Sequence, residues 1–141
     1  MRLQLALNVD DLDAAIGFYS KMFDTPPAKL RDGYANFAIE NPPLKLVLFE
    51  GAGENGSINH LGVEVETADQ VTAAEARLSA SGLETTGVDD TVCCYAEKAE
   101  TWVHAPDGHR WEWYVKTGDA EQLENSITTH AAPSGNSCCP A

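Results

Sequence analysis

Cysteine occurs four times in these 141 residues, each time in a touching pair: Cys93 and Cys94 in TVCCYAEK, and Cys138 and Cys139 in NSCCPA. Neighbouring cysteines can bond to each other only through a strained eight-membered ring, which removes almost no loop entropy from the unfolded chain. Neither pair is therefore expected to be a stabilising cross-link. In a reducing compartment they persist as thiols, which are soft ligands and nucleophiles. A second set of candidates is hard and borderline in character: the amide of Gln4, the imidazole of His60 and the carboxylate of Glu112. One amide oxygen, one imidazole nitrogen and one carboxylate suit a first-row metal ion, and an octahedral ion so held keeps about three open positions.

These side chains matter only if rigid elements hold them. QLALNVDDLDAAIGFY from Gln4 overlays HLGVEVETADQVTAAE from His60, at an offset of 56 residues, as an alternating strand followed by an amphipathic helix. In the first copy Leu3, Leu5 and Leu7 alternate, Asp10 or Asp11 caps a helix, and Leu12, Ile16, Tyr19 and Phe23 form its apolar stripe. In the second, Leu61, Val63 and Val65 alternate. There Thr67 and Gln70 have capping-box spacing, and Val71, Ala74 and Leu78 form the stripe before Gly82.

Short strand-like runs follow each helix: YANFAIE and LKLVLFE, then VCCYAEK, ETWVHA and HRWEWYV. The order β, α, then several β, twice over, predicts an α+β fold of two βαβββ modules forming a curved mixed sheet around a cleft. The modules are expected at about residues 1–52 and 57–116, with 117–141 a flexible, polar, turn-rich tail.

Strand parity sharpens the candidate set, because successive side chains point to opposite faces. With Leu3, Leu5 and Leu7 toward the helix, Gln4 faces away from it. The same holds for His60 against Leu61, Val63 and Val65. In HRWEWYV the bulky face is Trp111, Trp113 and Val115, which leaves Glu112 on the other with Arg110 and Tyr114. Tyr114 is thereby a further candidate for lining a substrate pocket, whereas Tyr34, Phe37 and Tyr95 are expected as wall or core. His104, His109 and His130 are not assigned to the metal. Overlaying LKLVLFE on RWEWYV sets Val47 against Glu112, so that position supplies no fourth ligand.

Composition bounds the partners. Twenty-two acidic against nine basic residues give a net charge of −13, which repels nucleic acid and anionic membrane. No apolar run has signal-peptide or bilayer-spanning length, so a cytoplasmic location is expected.

The βαβββ repeat, with a ligand on the first strand of each half and a carboxylate on the last, resembles the vicinal oxygen chelate superfamily. That group includes glyoxalases, extradiol dioxygenases and fosfomycin- and bleomycin-resistance proteins. More narrowly, QLALNVDDLDAAIGFYSKMF, GYANFAIENPPLKLVL, NHLGVEVE, CCYA and RWEWYV resemble the bacterial carbon-arsenic lyases and their cadmium-induced relatives, over about residues 1 to 116.

The resemblance implies Fe(II) held by Gln4, His60 and Glu112, and a trivalent arsenical held by Cys93 and Cys94. It also implies dioxygen as co-substrate and cleavage of the carbon-arsenic bond to release arsenite. Valence agrees: arsenite would need three thiols, whereas a methyl or aryl arsenical already carries one carbon and needs two. Both sulfurs can reach one atom only if the backbone leaves the extended conformation at Cys93–Cys94, since strand neighbours point apart. Cys138 and Cys139 are accessory thiols on this reading. A homodimer is the one macromolecular partner expected.

Two other functions remain in view. One is a non-enzymatic cadmium- or arsenic-binding stress protein. The other is a glyoxalase-type metal isomerase or transferase, against which the apolar Val47 counts.

Overall fold

The computed structural model describes residues 1–124, 126 and 127. The chain divides into two compact units, Arg2–Leu61 and Gly62 onward with Met1. Each is an α+β module of the expected order.

In the first unit β1 (Arg2–Val9) leads to α1 (Leu12–Met22), followed by β2 (Lys29–Arg31), β3 (Tyr34–Ile39) and β4 (Leu44–Glu50). The strand order is β2-β3-β4-β1, with β1 parallel to β4 from Leu3↔Leu44 to Val9↔Glu50. Two carboxylates start α1: Asp11 accepts from the Ala14 amide at 3.0 Å, and Glu50, at the end of β4, accepts from the Leu12 amide at 2.7 Å. Both meet amides that have no partner within the helix, at its positive end. The stripe of α1 then packs with Leu5, Leu7, Val9, Ala35, Phe37, Ile39, Leu46 and Leu48. Parity puts Gln4, Ala6 and Asn8 on the other face of β1, and all three are buried.

β5 (Ile58–Glu64) carries the chain into the second unit, where α2 (Ala68–Ala80), β6 (Asp89–Cys93), β7 (Ala96–His104), β8 (Arg110–Asp119) and β9 (Ser126–Ile127) follow. From β8 the order runs β8-β7-β6-β9. The capping box forms as its spacing predicts: Gln70 N donates to Thr67 Oγ1 at 3.3 Å, and Thr67 N to Gln70 Oε1 at 3.0 Å. Val71 is buried against Val65, Ala99 and Val115, with Val63, Val88 and Trp113 at the margin. No helix among the described residues is long and apolar enough to cross a membrane.

Two features differ from the sequence reading. VCCYAEK is not one strand: it ends β6 at Cys93, turns through Cys94 and Tyr95, and begins β7, which continues through ETWVH to His104. In addition, the boundary expected after Lys116 falls inside β8. Gly118 and Asp119 pair with Glu97 and Ala96 across the ladder, and a Cβ on Gly118 would come within 2.7 Å of the Glu97 carboxylate. The polar composition of TGD suggested a tail, but the partner strand supplies its hydrogen bonds. Residues 128–141, which include His130, Cys138 and Cys139, lie outside the described residues.

Candidate metal and thiol sites

In the first unit, Gln4 and His60 meet. They occupy the same position in the two repeats, both are buried, and Gln4 Nε2 lies 3.0 Å from His60 Nε2. The other ring nitrogen, Nδ1, lies 2.8 Å from the amide oxygen of Asn59. An amide oxygen can only accept, so Nδ1 carries the proton and Nε2 keeps its lone pair. This is the tautomer in which imidazole acts as a metal ligand through Nε2, with its N–H held by an outer partner. Asn59 is held in turn, since its Nδ2 donates to Asn8 Oδ1 at 3.0 Å and Asn8 Nδ2 donates to Ser57 Oγ at 2.9 Å. The Asn8 amide group leaves no room for a side chain at Gly53, where a Cβ would sit 2.7 Å from Nδ2. Phe49 flanks the imidazole, with ring centroids 6.3 Å apart, and Tyr34 packs on Phe49.

In the second unit, Glu112 is fully buried on the face that parity assigned to it, together with Tyr114. Lys98 Nζ donates to Glu112 Oε1 at 2.8 Å, lies 3.9 Å from Glu100 Oε2 and sits 4.9 Å from the centre of the Tyr114 ring. Trp102 Nε1 donates to the other Glu100 oxygen at 3.0 Å, and the Tyr114 hydroxyl donates to Glu64 at 2.7 Å. Register explains the cluster: Trp102 pairs with Glu112 and Glu100 with Tyr114 across β7 and β8, so all four side chains share one face.

Burial pushes the Glu100 carboxyl up to about 8. The neighbouring Glu112 charge adds to this, and Lys98 opposes it. Asp89, directly across from Glu100 on β6, is also raised, first by burial and then by Asp90. The Arg110 guanidinium lies 5.2 Å over the Trp102 ring; burial lowers its pKa and the Glu112 charge works against that.

The vicinal thiols resolve the parity objection. Cys93 pairs with Ala96, so Cys94 and Tyr95 are the two central residues of a hairpin turn, with φ of 54° and 61°. Positive φ at both positions makes it type I′, the turn whose twist matches that of the flanking strands. It folds the Cys94 side chain back toward Cys93, leaving the two sulfurs 3.0 Å apart. The two sulfurs are thereby in close contact. Left-handed conformations cost non-glycine residues about 1–2 kcal/mol each. Backbone hydrogen bonds offset that cost: Cys94 N to Leu123 O at 3.0 Å, Tyr95 N to Gln122 O at 2.9 Å, and Ala120 N to Tyr95 O at 3.0 Å. Ala120, Gln122 and Leu123 thus brace the turn, and β9 pairs with β6 at Thr91↔Ile127.

The structure therefore joins Gln4 to His60 and Cys93 to Cys94, and pairs Glu112 with Lys98. Among the described residues, no three His, Cys, Asp or Glu side chains gather at metal-binding spacing. Asn59, Lys98 and Glu100 were missed from sequence. The sequence signal for two of them is AEKAETWV, which as a single strand places Lys98 and Glu100 at the same parity as Trp102.

A family model for the glyoxalase/bleomycin resistance protein/dioxygenase superfamily matches residues 3–113. The chain belongs to this superfamily. Among its relatives there, a trivalent organoarsenical cleaving enzyme of Thermomonospora curvata is 55% identical over 139 residues, covering 98% of this chain and 87% of that protein. Cadmium-induced protein CadI of Mycobacterium bovis is 49% identical over 140 residues, covering 98% and 92%. Among solved superfamily structures, the Mn(II)-bound glyoxalase from Novosphingobium aromaticivorans aligns with a TM-score of 0.61 at 18% identity, over 85% of this chain and 40% of that one, and shares its fold.

Proposed function

We propose that the protein is an Fe(II)-dependent lyase that uses dioxygen to cleave the carbon-arsenic bond of trivalent organoarsenicals, as part of arsenic detoxification. The observation that carries this reading is the thiol turn: two sulfurs 3.0 Å apart on one side of a braced hairpin. Two such donors complete the valence of an arsenic atom that already holds one carbon. The names of the relatives point the same way. With both cysteines in the reduced form, capture exchanges ligands without redox change, as RAs(OH)2 and two cysteine thiols give the dithiolate and two waters.

The metal ligands on this reading are Gln4, His60 and Glu112. The donors fit: His60 presents a lone pair on Nε2 because Asn59 holds Nδ1, Gln4 can turn its amide to offer oxygen, and Glu112 is a buried carboxylate. Iron bound there supplies the one-electron chemistry that lets dioxygen react with a spin-paired carbon-arsenic bond. For the methyl compound the atoms balance as methylarsonous acid plus one dioxygen giving formaldehyde and arsenous acid, with carbon oxidised and arsenic leaving trivalent. Tyr114, pinned by Glu64, holds the wall beside Glu112.

Capture and cleavage fall at separate positions of the second unit. Cys93 pairs with Ala96 and Glu112 with Trp102, six positions further along β7, or about 20 Å of strand. The hairpin tip must therefore travel toward Glu112, or hand the arsenical on. The bracing bonds from residues 120–123 are the contacts that such a movement would loosen.

The test is release of arsenite from methylarsonous acid by the Fe(II)-loaded protein, with and without air. Release only in air supports the lyase. Tight thiol-dependent uptake of arsenic or Cd(II) without turnover would favour the binding-protein reading, which the CadI relative motivates. Turnover that is indifferent to oxygen would favour an isomerase or transferase.

A further inference from the structure

Glu112 is a carboxylate with no exposed surface, and a buried charge persists only beside a counter-charge. Lys98 provides it at 2.8 Å. A divalent cation on Glu112 would set two positive charges beside that ammonium, and like charges at such range in a buried site repel strongly. Lys98 then needs another seat. The structure holds one: Glu100 Oε2 is buried, has no hydrogen-bond partner and lies 3.9 Å from Nζ. Trp102 fixes the opposite oxygen of the same carboxyl, which keeps Oε2 turned toward the lysine. A shift of about 1 Å would complete a charge-assisted hydrogen bond, and the Tyr114 ring, 4.9 Å from Nζ, would hold the cation on the way.

We propose that Lys98 and Glu100 form a two-seat charge relay for the metal site: Lys98 neutralises Glu112 in the metal-free protein and passes to Glu100 when a divalent cation takes Glu112. Both are positioning residues, acting on the metal through Glu112. The relay explains why a second carboxyl is buried beside Glu112 with one oxygen unmatched. It rests on Glu112 being a ligand.

The experiment is a double-mutant cycle read as Mn(II) affinity, by anaerobic calorimetry on the full chain, with circular dichroism confirming the fold of each variant. Glu100→Gln replaces the second seat's carboxyl with an amide, a weaker acceptor for the ammonium, and should weaken Mn(II) binding about tenfold, the scale of one charge-assisted hydrogen bond. In a Lys98→Met background no ammonium needs reseating, so Glu100→Gln should change affinity less than about threefold. Lys98→Arg, which can reach both carboxyls, should keep the dependence on Glu100. Equal effects of Glu100→Gln in both backgrounds, or none in either, would overturn the relay. Glu112→Ala run alongside separates the two failures: undiminished Mn(II) binding there removes the ligand assignment itself, whereas lost binding with no Lys98–Glu100 coupling sinks the relay alone.

Discussion

Replacing Glu112 with alanine should disturb the protein in two ways that can be measured apart. The first is stability. Alanine leaves Lys98, 3% exposed, without the carboxylate 2.8 Å away. Removing one partner of a buried ion pair typically costs about 3–5 kcal/mol. Here Glu100 stands 3.9 Å from the same ammonium and can take over part of the pairing, so the lower end, about 3 kcal/mol, is expected. For a chain of 141 residues that is a fall in Tm of roughly 10 °C. Glu112→Gln keeps an acceptor for Lys98 and should lose about half as much. The second effect is on metal: both variants lose the only anionic ligand in the proposed set, so Mn(II) or Fe(II) affinity should drop by at least a hundredfold. Thermal melts of the metal-free protein and anaerobic titration read the two separately. If Glu112→Ala melts within about 1 °C of the parent, the Lys98 pair is not the buried interaction described here; if it binds metal unchanged, Glu112 is not a ligand.

Serine at both Cys93 and Cys94 should abolish retention and cleavage of the trivalent methylarsenical while leaving Mn(II) affinity within about twofold, because hydroxyls are hard donors; wild-type arsenite release by this variant would end the thiol-clamp reading. Asn59→Leu, which removes the acceptor on His60 Nδ1, should lower metal affinity about 10- to 100-fold with the fold intact, and Asn59→Asp, which keeps an acceptor, should largely restore it. Truncation after Lys116 should cost roughly 2–4 kcal/mol, since it removes the β8 end paired with β7 and the carbonyls that brace the thiol turn. A melting temperature unchanged by that truncation would mean that the β8 end and the bracing carbonyls contribute no binding energy to the module.

What the sequence determined by itself was periodic and local. Alternation along β1 and β5 assigned the inward faces of Gln4 and His60, and the capping box at Thr67 and Gln70 started α2 where expected. Alternation in β8 likewise separated Glu112 and Tyr114 from Trp111 and Trp113. These properties are set by residues within a few positions of each other, so they can be read before anything folds. Non-local properties were decided only by tertiary structure. Two left-handed residues without glycine at Cys94 and Tyr95 violate local preference, and they stand because carbonyls from residues 122 and 123 accept their amides. β8 runs through Gly118 and Asp119 against their own composition because β7 presents a ladder to pair with. Lys98 meets Glu112 fourteen positions away only through the β7–β8 register. Local sequence carries the direction in which a side chain leaves its strand, whereas its partner there is set by which strand lies alongside and in what register, and that depends on contacts made by the whole module.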